Sequence, residues 1–166
     1  MKQPLTSGAE KIEELLSFAK QFVGTPYKYG ALMSDAPDYF DCSGFVKYVF
    51  AHVGITIPRS TIEQAEFAGK KVRDLKNIQP GDCIFVHGTS GHYNKKFPQG
   101  IGHVGIYTED DAVIHASSRR TNHWPDKIQE TGSVRIDPLK TFLKKGGPIV
   151  VIKRVILISP QKSVHS

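Results

Sequence analysis

Hydrophobic positions divide the chain into a helical first half and an extended second half. Apolar residues recur at helical spacing after a capping box formed by Ser7 and Glu10, again from Cys42 to Val53, and briefly after Ser60. Beyond residue 82 the apolar runs become short, which is typical of strands. Strands are predicted at residues 83–86, 103–107, 112–116, 134–136 and 149–158. Helices followed by strands with short turns predict an α+β fold whose helices pack on an antiparallel sheet.

Two polar segments, at residues 87–100 and 117–132, are predicted to be long loops. The length of 166 residues and a composition of 39% hydrophobic and 23% charged residues exclude disordered and collagen-like classes. We therefore predict one domain over residues 1–166, with its motif-bearing core at about 10–158. No apolar run is long enough to span a membrane, and the first residues lack the apolar stretch of a secretory leader.

The net charge of +6 is compatible with solubility alone or with an acidic partner, such as an anionic polymer, a membrane surface or nucleic acid. The basic residues are scattered in short pairs and are not interleaved with aromatic residues in a nucleic-acid motif. Nucleic-acid binding is therefore not expected.

Cys42 stands where a polar, extended approach gives way to an apolar helix. The free N–H groups and partial positive charge of a helix N-terminus favour a thiolate, so this position predicts a nucleophile with a lowered pKa. The second cysteine, Cys83, falls in a predicted strand and is expected to be buried. Two cysteines are too few for a disulfide scaffold and lack the spacing of a zinc site.

A cysteine nucleophile needs a base and a group that orients the base. A hairpin centred on Glu109 would place His103 directly opposite His115 on one face of the sheet. Their Cβ atoms would then be roughly 4.5–5.5 Å apart, which allows one imidazole to bond the other.

Two other patterns are not expected to bind a cofactor or a metal. The G-x-G-x-x-G run at residues 100–105 has no strand before it and a strand, not a helix, after it, unlike a dinucleotide fingerprint. His87 and His92 bracket a glycine-rich loop without a third ligand at a known spacing.

Three motifs together resemble those of the NlpC-type cell-wall peptidases: D-C-S-G-F-V at 41–46, G-H-V-G-I-Y at 102–107 and V-I-H-A at 113–116. Further matches in the family's order are G-T-P-Y-K-Y-G at 24–30, P-R-S-T at 58–61 with Gln64, and P-G-D at 80–82. The resemblance covers about residues 10–117. It implies a compact papain-like fold with the nucleophile at a helix N-terminus.

The resemblance implies a role for each matching residue. Cys42 would be the nucleophile, His103 the base and His115 the residue that orients it, and Tyr27 would lie near the oxyanion site. Residues expected to border the substrate groove are Asp41, Ser43, Arg59, Ser60 and Thr61, and in some relatives the aspartate helps to bind a free amine. No cofactor is implied.

The implied substrates are peptidoglycan stem peptides, cut between D-glutamate and the diamino acid through an acyl-enzyme. Two alternatives stay open: a non-catalytic domain that binds wall fragments, and a papain-like acyltransferase. A wall substrate implies a periplasmic or extracellular site of action, with cytoplasmic muropeptide recycling as the alternative. An immunity or inhibitor protein is left open as a partner.

The chain departs from the common family pattern in three respects. The segment before His103 is long, Cys83 replaces an aliphatic residue, and neither a leader nor a wall-binding module is visible. The long segment would border the substrate groove and so would influence substrate preference.

Overall fold

The computed structural model describes residues 7–89 and 91–158. Within them lie four α-helices and six strands. The helices are Gly8–Lys20 (α1), Cys42–His52 (α2), Thr61–Phe67 (α3) and Leu139–Gly146 (α4). The strands are Lys70–Val72 (β1), Cys83–Val86 (β2), His103–Tyr107 (β3), Ala112–Arg120 (β4), Glu130–Pro138 (β5) and Ile149–Arg154 (β6). No described helix has the length and apolar character needed to cross a lipid bilayer.

The first three helices begin where the sequence predicts, because each has a side chain that caps its free N–H groups. Ser7 Oγ accepts a hydrogen bond from the Glu10 amide at 3.1 Å, and Ser60 Oγ accepts one from the Glu63 amide at 3.3 Å. At the start of α2 the cap is the carboxylate of Asp41. The polar residue before each apolar run therefore fixes where that helix begins.

The six strands form one antiparallel sheet in the order β1-β6-β2-β3-β4-β5. Alternate residues of each strand point to opposite faces. One set, including Phe85, Val104 and Ile114, joins the main core with α1 and α2. The other set, including Val86 and Val113, packs with α4 in a second apolar cluster. The predicted α+β fold with helices on an antiparallel sheet is confirmed.

The second predicted loop is wrong. Strands β4 and β5 pair continuously from Ala112 opposite Pro138 to Arg120 opposite Glu130, so only residues 121–129 connect them. The polar side chains here lie on the half-buried or exposed ends of β4 and of the edge strand β5, where the apolar alternation is lost. The first predicted loop contains a single bridge, between His92 and Ile101, in the part that is described.

Three other elements differ from the prediction. Strand β6 ends at Arg154 and not at residue 158, while β1 and α4 were not predicted. The short helix α4 had a usable signal in Leu139, Phe142 and Leu143, which are spaced for one helical face. At eight residues it is too short to stand out from a loop by periodicity.

The predicted centre of the β3–β4 hairpin is also wrong. Ile106 pairs with Ile114 and Tyr107 with Val113, which centres the hairpin on Asp110. This register, continued along the strands, places Gly105 and not His103 opposite His115. The residue opposite His115 changes by two positions along β3, and residues two apart on a strand point to the same face. His103 and His115 therefore stay on one face, as diagonal neighbours.

Candidate active site

Cys42 is the first residue of α2, and the residues around it hold the helix start rigidly. Asp41 Oδ1 accepts the Gly44 amide at 2.7 Å. The approach to the helix is fixed by backbone pairing, with the Lys28 amide donating to the Phe40 carbonyl at 3.0 Å. The backbone is therefore fixed both before and after Cys42, and this fixes the position of its thiol.

A cleft of about 380 Å³ opens above this helix start. Cys42, His103, His115 and Tyr27 all line it. The five residues predicted to border the substrate groove also line it: Asp41, Ser43, Arg59, Ser60 and Thr61. The structure thus brings all nine predicted site residues to one cavity.

Arg59 joins the loop before α3 to the start of α2. Its Nη2 lies 2.7 Å from Asp41 Oδ2, its Nη1 donates to Ser43 Oγ at 2.8 Å, and it also bonds the Ala31 carbonyl. On the same side, Thr61 Oγ1 lies 3.6 Å from Cys42 Sγ. The charges of Asp41 and Arg59 therefore compensate each other beside the thiol.

His103 and His115 form a hydrogen bond between Nε2 of the first and Nδ1 of the second, at 2.8 Å. The contact that the sequence predicted between the two rings is thus present, although the rings are not directly opposite. Phe142 of α4 packs against both, with ring centroids 5.6 Å from His103 and 5.0 Å from His115. The pair is held by apolar packing as well as by the sheet.

The chain of contacts continues past His115. His115 Nε2 lies 2.8 Å from Asp137 Oδ2, and both residues are buried, at 4% and 3% exposure. Asp137 Oδ1 accepts from Arg135 Nε at 3.0 Å and lies 2.7 Å from its Nη2. The buried carboxylate of Asp137 therefore contacts His115 on the side opposite His103.

The pKa of Cys42 is not lowered, contrary to the prediction from its position at a helix N-terminus. Burial first, and then the charge of Asp41, raise the pKa of the thiol to about 11. Hydrogen bonds from Thr61 and the nearby backbone act in the lowering direction but are outweighed. Burial also lowers the pKa of His103, which is half-buried, and that of the buried His115. These shifts favour a neutral thiol and a neutral imidazole at rest, both lining the same cleft.

Tyr27 reaches the cleft from the segment before α2. Its amide donates to the Gly132 carbonyl at 2.9 Å, which attaches this segment to β5. Burial first, and then the proximity of Cys42 and Glu130, raise the pKa of its phenol above the ordinary value. Tyr27 therefore keeps its proton and can donate a hydrogen bond into the cleft.

With this geometry established, comparison with known proteins identifies the family. A sequence model of the NlpC/P60 family matches residues 24–134. The chain belongs to the NlpC/P60 family. The resemblance seen in the sequence motifs is thereby confirmed.

Individual relatives agree with this NlpC/P60 assignment. The chain is 35% identical over 156 residues to the gamma-DL-glutamyl hydrolase of Bacillus subtilis, covering 89% of this chain and 33% of that protein. It is 33% identical to the bifunctional muramidase/DL-endopeptidase CwlT of the same organism, covering 80% of this chain and 40% of that protein. The chain thus spans between a third and two fifths of the length of these relatives.

A solved structure shows the same architecture. An NlpC/P60 family protein from Bacillus cereus superimposes with a TM-score of 0.65 at 28% identity, over 88% of this chain and 40% of that one. The helices packed on an antiparallel sheet are therefore those of the NlpC/P60 fold.

Sequence reasoning missed three polar residues of this NlpC/P60 site, and all are on β5. Asp137 and Arg135 reach His115 only through the β4–β5 register, in which His115 pairs with Arg135. Glu130 lines the cleft, and one of its carboxylate oxygens is buried without a hydrogen-bond partner among the described residues. The misassigned loop at 117–132 contained Glu130, and it concealed the β4–β5 pairing that brings Asp137 and Arg135 to His115.

Cys83 and the loop histidines lie apart from these contacts. Cys83 is buried and free, in β2. His87 Nδ1 contacts the Gly88 carbonyl at 2.8 Å, and His92 borders the cleft. Across residues 7–89 and 91–158, no three histidine, cysteine or acidic side chains are grouped as metal ligands.

Proposed function

We propose that this chain is a cysteine endopeptidase of peptidoglycan stem peptides, acting at the bond between D-glutamate and the diamino acid. The observation that carries the proposal is the hydrogen-bonded pair His103–His115 in the same cleft as the Cys42 thiol. The names of two relatives, a DL-endopeptidase and a gamma-DL-glutamyl hydrolase, support a bond next to a glutamyl residue. The net charge of +6 suits an anionic wall polymer.

In the proposed mechanism Cys42 attacks the scissile carbonyl and His103 takes its proton. Nε2 of His103 is engaged by His115, which leaves Nδ1 as the atom that accepts this proton. Because the resting pair is neutral, the proton moves as the sulfur attacks, and no preformed thiolate is required. The imidazolium then protonates the leaving amine, and water attacks the thioester with His103 again as base.

The negative charge that develops on the carbonyl oxygen needs donors at the helix start. The backbone N–H of Cys42 belongs to the first turn of α2, where amides have no partner in the helix. The neutral phenol of Tyr27 lies close by in the same cleft. We assign both to the oxyanion site, where the loss of a single donor costs about 10²–10³ in kcat.

The remaining predicted residues are proposed to border the peptide. Ser60 caps α3 and Thr61 begins it, both at the rim of the cleft, and Thr61 places its hydroxyl beside the thiol. Asp41 and Arg59 keep the helix start in place and present a compensated pair of charges to the substrate. Polar groups of this kind orient a peptide without repelling either of its ends.

Defined muropeptides test the proposal directly. We expect incubation with L-Ala–γ-D-Glu–diaminopimelate to give the dipeptide and the free diamino acid, identified by mass spectrometry. The variant Cys42→Ala should fold normally and give no product, while Cys83→Ala, the matched control at the other buried cysteine, should remain active.

Two results would overturn the proposal. Binding of the peptide without turnover by the unaltered chain would favour the wall-fragment binding domain. Transfer of the acyl group to added hydroxylamine or another amine, with no hydrolysis in its absence, would favour the acyltransferase.

A further inference from the structure

His115 makes one hydrogen bond through each of its two ring nitrogens, to partners on opposite sides of the ring. Nδ1 faces His103, and Nε2 faces Asp137, each at 2.8 Å. In a neutral imidazole one nitrogen donates and the other accepts, so the partner of one nitrogen decides the role of the other. The side chain at position 137 therefore determines which ring nitrogen of His103 carries the hydrogen.

The Asp137 carboxylate is charged where it meets His115. Burial acts to raise the pKa of Asp137, but its hydrogen bond to His115, together with the charge and hydrogen bond of Arg135, outweighs burial, so the net pKa is lowered. An ionised carboxylate can only accept, so His115 Nε2 must carry the hydrogen. His115 Nδ1 then accepts from His103 Nε2–H, and His103 Nδ1 is left with a lone pair.

We infer that Asp137, held by Arg135, is a positioning residue that sets the tautomers of both histidines and so keeps the base on the thiol side of His103. This inference rests on the proposed roles of Cys42 and His103. It extends the site by two residues on β5 that act through His115 and do not touch the substrate.

Arg135 makes this inference unusually testable. Its guanidinium, which only donates, makes both of its contacts to Asp137 Oδ1, while His115 contacts Oδ2. In the variant Asp137→Asn, Arg135 would hold the amide oxygen and turn the amide nitrogen toward His115. His115 Nε2 would then have to accept, and the hydrogens of both histidines would reverse.

Reversing the hydrogen bonds between residue 137, His115 and His103 has a defined chemical consequence. His115 Nδ1 would donate to His103 Nε2, and His103 Nδ1 would carry a hydrogen toward the thiol. A protonated nitrogen cannot accept the Cys42 proton, so we expect kcat to fall about 10³-fold or more, as in other relays with an inverted tautomer. The shape of the site would be almost unchanged, because aspartate and asparagine differ little in size.

Removal of Arg135 should reverse the effect. The side chain of Arg135 is 48% exposed, so water can take its place beside residue 137. In the double variant Arg135→Met/Asp137→Asn the amide is free to turn its oxygen toward His115. We expect it to recover at least about tenfold in kcat over Asp137→Asn. Arg135→Met alone should lose less than about tenfold, because the carboxylate remains.

The experiment records the ring nitrogens of His103 and His115 by long-range ¹H–¹⁵N NMR at pH 7.5, together with the rate of Cys42 alkylation by iodoacetamide. Both measurements are independent of the peptide substrate, so they test this inference even if the proposed function fails. We expect Nε2–H on both rings in the unaltered chain, Nδ1–H on both in Asp137→Asn with slower alkylation, and a return to Nε2–H in the double variant. Unchanged tautomers in Asp137→Asn, or a double variant that stays reversed and inactive, would overturn the inference.

Discussion

Gly105 falls opposite His115 in the β3–β4 register, two residues from His103, and its lack of a side chain is what we expect the site to depend on most. A Cβ built on Gly105 would lie 3.1 Å from Phe142 Cε2 and 3.2 Å from His115 Cβ, and closer still to Val113 Cγ1. These neighbours are buried, at 2%, 4% and 0% exposure, so none can move into solvent. The variant Gly105→Ala should therefore crowd the core and displace His115.

The size of this effect follows from the packing. Overpacking of a well-filled core costs about 1–3 kcal/mol, which for a chain of this length lowers Tm by roughly 2–12 °C. A shift of His115 also lengthens its 2.8 Å bond to His103. A loss of about 1.4 kcal/mol in transition-state stabilisation lowers kcat/KM tenfold, and we expect at least that.

Thermal unfolding and kcat/KM for a muropeptide measure the two effects together. Val113→Ala removes the closest neighbour, so the double variant Gly105→Ala/Val113→Ala should be more stable than the sum of the single changes predicts. A fully stable and fully active Gly105→Ala, or strict additivity in the double variant, would refute this reasoning.

Three further predictions concern charge and pH. Arg59→Met leaves the Asp41 carboxylate without its 2.7 Å partner, so the free energy of unfolding in urea should fall by about 1–3 kcal/mol; an unchanged value would contradict the role of the pair. The pKa of Cys42 is raised to about 11, so its alkylation rate should keep rising above pH 9 rather than level off near pH 7, with Cys42→Ala as the blank. Burial lowers the pKa values of His103 and His115 in the folded protein. Below about pH 6.5 the imidazoles of the unfolded chain therefore take up protons while the folded ones stay neutral. Their contribution to the free energy of unfolding is thus present above that pH and is lost as the pH falls below it. The urea midpoint should therefore drop between pH 7 and pH 5, and a smaller drop is expected when both residues are replaced by glutamine.

The helical half of the chain could be predicted from sequence because its signals are local. A capping side chain followed by an apolar stripe defined the starts of α1, α2 and α3, and the start of α2 placed Cys42. Short motifs then named the residues that the structure brings to one cleft. These signals depend on neighbours within a few positions, so no long-range information was needed.

The second half required long-range information that the sequence does not display. A one-residue change in the hairpin centre moved the partner of His115 from His103 to Gly105, and only the even shift kept both rings on one face. The polar ends of β4 and β5 resemble a loop because they are half-buried or exposed, so apolar and polar residues do not alternate there. Asp137 was missed because the pairing of β4 with β5 was not predicted, and Asp137 meets His115 only across that pairing.

The predicted pKa of Cys42 was wrong for a different reason. The helix start favours the thiolate, but the prediction took no account of how deeply the thiol is buried or of the charge of Asp41 next to it. Burial depends on the walls of the cleft, which come from β3 and α3 as well as from α2. A position at a helix N-terminus alone therefore does not determine the ionisation of a cysteine.

The central claim, that Cys42 forms an acyl-enzyme with a stem peptide, is tested most directly by rapid quenching with acid followed by intact-protein mass spectrometry. With L-Ala–γ-D-Glu–diaminopimelate we expect a transient thioester that adds the L-Ala–γ-D-Glu acyl group, located by digestion to the peptide that contains Cys42. The adduct should decay as free dipeptide appears, and it should be missing from Cys42→Ala. Cleavage that persists in Cys42→Ala, or an acyl group found on any other residue, would contradict the account.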